Sequence, residues 1–122
     1  MSDGHDESRS WRLYVKDMIE FGAKILSYTE GMDQETFIAD ERTYDAVLRN
    51  IELVGEAATH VPDCIRDAHP EVEWRRIVAT RNRVAHGYLG IDDDVVWDVI
   101  QTDIPDLLPR LRRLLALASD NA

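Results

Sequence analysis

The run WRRIVATRNRVAHGYLG, residues 74–90, decides how the chain is read. As a helix it places Trp74, Ile77, Val78, Val84 and Ala85 within roughly a third of the circumference, the width of a core-facing stripe. Arg81, seven residues after Trp74, falls in the middle of that stripe, and Asn82 and His86, four apart, share one flank. An arginine on the face that should be buried needs a reason. The residues alone leave several open: a stem lying along apolar surface with its head in water, an ion pair with Glu56 or Asp17 from another helix, or a helix C-terminus that favours cations.

A chemical reason stands beside these. An imidazole near neutrality can take a proton from an RNA oxygen or return one, and a guanidinium nearby can fork onto a phosphate and stabilise the charge that develops there. Ribose brings its own nucleophile, the 2′-hydroxyl, so neither a metal nor a protein nucleophile is required. The products would be a 2′,3′-cyclic phosphate and a 5′-hydroxyl. One chain supplies one such histidine; a two-fold dimer joined through these helices would bring together two Arg–His sets. With twelve arginines in the chain, an Arg followed by His after four to six residues is expected about once by chance, so the spacing alone proves nothing.

The 122 residues are enough for one domain with a real core. Apolar content of 44% against 31% charged residues fits a globular chain, and no apolar run approaches bilayer-spanning length. Cys64, the single cysteine, excludes an internal disulfide framework, and no Cys/His grouping has zinc-ligand spacing. The opening MSDGHDESRS is polar and partly acidic, unlike a signal or transit peptide, which points to the cytoplasm. No metal and no cofactor is implied. A net charge of −10 argues against a protein that coats nucleic acid nonspecifically. Yet residues 74–90 hold Arg75, Arg76, Arg81 and Arg83 and no acid, between Glu71 and Glu73 on one side and Asp92–Asp94 on the other. Such an island suits a small anionic target such as one phosphodiester better than a long polyanion.

The pattern throughout is helical. Trp11, Tyr14, Val15, Met18, Ile19, Gly22, Ile25 and Leu26 define a first helix that Gly31 stops. Residues 32–40 allow one helical turn. A second helix over about 41–60 carries Tyr44, Val47, Leu48, Ile51, Val54 and Ala58 on one face. PDCIRDAHP reads as a loop with a turn of helix, a third helix covers about 71–86, and Asp92–Asp94 are N-caps for a fourth. Pro105 and Pro109 are expected to kink or split that last helix. The architecture is all-α: an antiparallel bundle of four or five helices, with residues 1–10 a disordered tail and 11–122 one helical domain. Trp74, Trp97 and the Leu-rich last helix offer more apolar surface than a small bundle needs, which suggests a dimer. His60 and His69, near helix ends, read as solvent-exposed, and the aspartates as caps. Gly55 would let another helix approach closely, and Glu56 beside it would either orient Arg81 or simply occupy a helix end.

RNRVAHGY (81–88) resembles the R-N-x-x-x-H-x-Y signature of the HepT-like branch of the HEPN superfamily. The resemblance runs along nearly the whole chain: VKDMIEFGAKILSYTEG is similar to that family's first helix, AVLRNIELVGEAA (46–58) to its second, and EVEWRRIVATRNRVAHGYLGIDDDVVWDVIQTDIPDLLPRL to its third and fourth. It implies a HEPN-type bundle dimerising through the motif-bearing helices, with Arg81 and His86 as the catalytic pair of a ribonuclease and Asn82 as a supporting polar residue. It also implies a toxin opposed by a minimal nucleotidyltransferase antitoxin of the MNT type, which transfers AMP to the tyrosine matching Tyr88. The residues leave a second reading open, in which the same helical dimer binds a nucleotide or a nucleotidyltransferase partner and cuts nothing.

Overall fold

The computed structural model describes residues 10–86 and 90–119, and every regular element among them is helical. The expected tail lies outside these residues except for Ser10. That residue belongs to the fold: its hydroxyl accepts from the Arg12 amide at 3.1 Å and caps the first helix.

In chain order the elements are α1 (Trp11–Tyr28), α2 (Gln34–Ala39), α3 (Glu41–Thr59), α4 (Asp63–Ala68), α5 (Trp74–Ala85), α6 (Asp93–Asp98), a π turn (Val99–Asp103) and α7 (Ile104–Ser119). None of the described helices is long and apolar enough to cross a membrane. The closest helix pairs are α1 on α3, α3 on α5 and α1 on α7. Neighbours run antiparallel: Arg12 at the start of α1 donates to the Leu115 carbonyl near the end of α7, while Gly22 lies against Leu108 and Ile104. Between the helices sits one core containing Val15, Met18, Ile25, Phe37, Val47, Ile100, Leu111 and Leu114, all fully buried.

Local chemistry sets the boundaries. The α1 helix ends at Tyr28, and Gly31 takes a φ of +79°, a left-handed conformation that a glycine adopts without the Cβ clash. The connector after it forms a true helix, α2, because Asp33 and Thr36 close a reciprocal capping box. The third long helix starts at Trp74 and not near 71. Pro70 and the buried Val72 hold a turn there, and Trp74 itself is buried, its indole Nε1 donating to the His69 carbonyl at 3.1 Å. His69 is therefore half-buried, with Nδ1 3.3 Å from Glu71 Oε2.

Neither proline splits the last helix. One π turn at Val99–Asp103 precedes them, its last amide bond running from Ile104 back to the Val99 carbonyl. Widening the spiral by one residue moves the carbonyls that the Pro105 ring would otherwise meet, and the chain continues as α7 through Pro109. The surplus apolar surface is also absorbed within the chain. Trp74, Leu107, Leu108, Leu111 and Leu114 are buried in this core, and Trp97 packs on Phe37 with ring centroids 5.6 Å apart. These side chains give no argument for a dimer.

Two features fix α5 and its exit. At the α3–α5 crossing, a Cβ on Gly55 would lie 2.2 Å from Arg81 Cβ and 2.6 Å from its Cγ, so only glycine permits this approach. Beyond α5, the three aspartates divide their work. Asp92 caps α6 by accepting from the Asp94 amide at 2.9 Å; Asp93 accepts from the Tyr44 hydroxyl at 2.5 Å; Asp94 accepts from Gln34 Nε2 at 2.6 Å.

Gly55→Ala should therefore force the helices apart and destabilise the protein by about 1–3 kcal/mol or more, read as a lower urea midpoint at unchanged slope; an unchanged midpoint would contradict the close crossing. Burial first, and then the hydrogen bond donated to Asp93, push the Tyr44 phenol up to about 12. An unfolded tyrosine titrates near 10, so this contribution is intact below about pH 10 and is lost as pH rises towards 12. Thermal melts between about pH 9 and 11.5 should show a shallower fall for Tyr44→Phe than for wild type.

Candidate functional site

The inward arc of α5 holds Trp74, Ile77, Val78, Arg81, Val84 and Ala85, as the periodicity requires, and it packs on α3 of the same chain. The arginine in that arc therefore packs against α3 of its own chain. Its stem lies flat on the bare backbone of Gly55. Nε is buried with no hydrogen-bond partner among the described residues. The Nη2 end reaches 3.8 Å from Glu56 Oε1, and the side chain as a whole keeps 24% of its surface exposed. At that separation the carboxylate attracts the guanidinium without closing a direct hydrogen bond, so donors remain for another acceptor. Of the two acids expected as partners, Glu56 is the one this geometry brings to Arg81.

Glu56 also faces the other way. Its Oε2 is 3.4 Å from Nε2 of His60, one turn later on α3, and the His60 ring stacks on Tyr14 of α1 with centroids 4.8 Å apart and planes 17° from parallel. Tyr14, His60, Glu56 and Arg81 therefore form one continuous row across three helices. Sequence reasoning set His60 aside as a solvated helix end. The available signal was its i, i+4 spacing from Glu56, which places both on one face of α3.

His86 is the C-cap of α5, exposed, its backbone amide donating to the Asn82 carbonyl at 3.0 Å. Asn82 is exposed on the same flank. At 100° per residue, His86 lies about 140° around α5 from Arg81. The motif thus contributes an inward arginine and an outward histidine. Tyr88 lies outside the described residues. The outer face also carries exposed Arg75, Arg76 and Arg83. Arg76 is committed to Asp103, donating from Nε and Nη2 at 3.0–3.2 Å, and this bond raises its pKa further above the usual arginine value.

The arrangement can hold an anion. A guanidinium with open donors lies beside Glu56, on a helix that contains no acid. It also offers an exposed imidazole for proton transfer, at a helix end where a cation is favoured.

Comparison with known proteins places the chain in a family. The family described as "Ribonuclease HepT-like" matches residues 18–114. A Thermococcus cleftensis protein named "Probable ribonuclease HepT" is 34% identical over 106 residues, covering 87% of this chain and 96% of its own length. A Methanocaldococcus jannaschii protein named "Putative RNase MJ0127" is 27% identical over 104 residues, covering 85% and 86%. No solved structure matches the chain. On the span of the family match and the coverage of these relatives, the chain belongs to the HepT-like ribonuclease family of the HEPN superfamily.

Proposed function

We propose that this protein is a metal-independent endoribonuclease, the toxin of a pair with an MNT-type nucleotidyltransferase antitoxin, acting on tRNA or mRNA in the cytoplasm. The observation that carries the reading is Arg81: a guanidinium fixed by Gly55 and Glu56 with donors to spare, five residues before an exposed histidine. The family supports it, since its relatives bear ribonuclease names.

In the proposed reaction the 2′-hydroxyl attacks the adjacent phosphorus. His86 takes its proton as the P–O2′ bond forms, and Arg81 stabilises the added charge on the phosphoryl oxygens. The P–O5′ bond breaks and the leaving 5′-oxygen takes a proton. The products are a 2′,3′-cyclic phosphate and a 5′-hydroxyl. A homodimer joined across the outer faces of α5 supplies the second proton carrier, the same histidine of a second copy. It also surrounds the cleft with arginines from both chains. Asn82, on the His86 flank, is a supporting donor to a phosphate oxygen, and Glu56 orients Arg81.

Silencing follows from chemistry next to His86. Transfer of AMP from ATP to the Tyr88 hydroxyl forms a phosphodiester and releases pyrophosphate. The added phosphate and adenosine, two residues from His86, would occupy the cleft and pair with its arginines. The competing reading, a dimer that binds a nucleotide or the nucleotidyltransferase without cutting, draws on the net charge of −10.

Incubation of unmodified protein with tRNA and mRNA in EDTA separates the two. Wild type should cleave and leave cyclic phosphate, and His86→Ala should lose about 10²–10⁴-fold in rate while remaining folded. Arg81→Lys, which keeps charge and stem but not the fork, should lose about 10²-fold or more. Equal inertness of wild type and His86→Ala in folded protein would leave the binding reading in place. Co-expression with the nucleotidyltransferase should add AMP to the intact mass of wild type and not of Tyr88→Phe.

A further inference from the structure

The Tyr14–His60 pair has no role in the reaction described above, and its geometry is that of a binding surface. His60 is the C-cap of α3, and its side chain is half exposed at 50%. Tyr14 covers one face of its ring in a near-parallel stack. The exposed part therefore lies away from Tyr14 and from the Nε2 edge that meets Glu56. A flat π surface backed by a second ring is a rigid platform, because sliding or tilting it would break the stack behind.

Its position matters as much as its shape. Glu56 touches both His60 and Arg81, at 3.4 Å and 3.8 Å, so the platform and the guanidinium share one carboxylate. Helices α3 and α5 are antiparallel: Ile51 shares a surface depression with Thr80 and Val84, while Gly55 meets Arg81 and the Ile77 carbonyl. His60 is thus displaced from Arg81 in one direction along the interface and His86 in the other, each by four or five residues, about 6–8 Å of helix rise. The order along the surface is stacking ring, carboxylate, guanidinium.

We propose that the Tyr14–His60 platform is a nucleobase subsite: it stacks one unpaired base of the RNA next to the phosphate held by Arg81. A nucleobase has the flat π face that such a platform accepts. Glu56, exposed between platform and guanidinium, adds an acceptor at the base edge, where exocyclic amines donate. The subsite selects which phosphodiester enters the cleft, since a base seated on His60 sets the register of the backbone across Arg81. This rests on the reading of the chain as an RNA-binding ribonuclease.

Binding tests it independently of cleavage. Fluorescence polarisation would measure a labelled single-stranded 12-mer RNA, and an abasic ribose-phosphate oligomer of the same length, on wild type, His60→Ala, His60→Gln and His60→Phe. Stacking of one base is worth about 5- to 150-fold in affinity, so His60→Ala should weaken the base-bearing RNA by roughly tenfold or more. It should leave the abasic oligomer unchanged. His60→Phe, which keeps the ring and loses the contact to Glu56, should restore binding; His60→Gln, which keeps a polar contact and loses the ring, should not. In cleavage the loss should appear in KM, with kcat retained. Rescue by Gln and not by Phe would overturn the subsite and make His60 a positioning residue for Glu56. Equal loss on the abasic oligomer would overturn it too, as would no effect of His60→Ala or no RNA binding by wild type. Base-dependent binding through His60 without any cleavage by wild type would sustain the subsite and refute the nuclease reading.

Discussion

The candidate site depends on one missing methyl group. Because residue 55 is glycine, α5 can approach α3 closely enough for the Arg81 stem to lie on bare backbone, in space that a Cβ would fill. Burial of that stem removes most of the rotamer freedom of a long side chain, which otherwise costs up to about 2 kcal/mol whenever it is ordered onto a ligand. The guanidinium is thus held in place before any anion arrives. Glu56 stands close enough to offset part of the charge and too far to occupy its donors. A shorter ion pair would stabilise the apo protein and leave less for a phosphate.

The far side of the motif is fixed by different means. The α5 helix ends at Ala85 with His86 as its cap, and the chain is held again at residue 92. There three successive aspartates each find a separate donor: the α6 amides, the Tyr44 hydroxyl and the Gln34 amide. These acids serve the fold. They bind the start of α6 to α2 and α3, so both flanks of the short segment carrying Tyr88 are tied to the body of the bundle.

Much of this was legible in the sequence, and the exceptions have physical causes. Periodicity located the long helices and put Arg81 inward, and Gly55 could be read as a close-approach residue because a glycine in mid-helix is costly unless something fills its place. Periodicity could not say what Arg81 faces, since a stripe has a direction on the helix and no address in space. The partner is α3 of the same chain. The same limit led the buried Trp74 and the leucines of α7 to be assigned to a dimer when the core could hold them. Pro105 and Pro109 read as a kink or a split because local rules treat proline against an ideal spiral, whereas a π turn precedes Pro105 and α7 runs on through Pro109. The role of His60 escaped notice because the ring it stacks on, Tyr14, comes from another helix, and only Glu56 is near it in sequence.

One helix cannot present Arg81 and His86 on one face. They lie about 140° apart around α5, the arginine wedged against α3 and the histidine at the open C-terminal end. Within one chain the guanidinium is directed towards Glu56, while the histidine stands at the open end of the helix. That division also determines what a second copy must do. A partner covering the inward arc would have to displace α3, and α3 is what holds Arg81. The proposed dimer would therefore have to meet at the outer face, where Asn82, His86 and the arginines stand exposed. Like charges brought together there repel unless an anion lies between them. A dimer of this kind would form its cleft most favourably around the phosphate backbone it is built to cut.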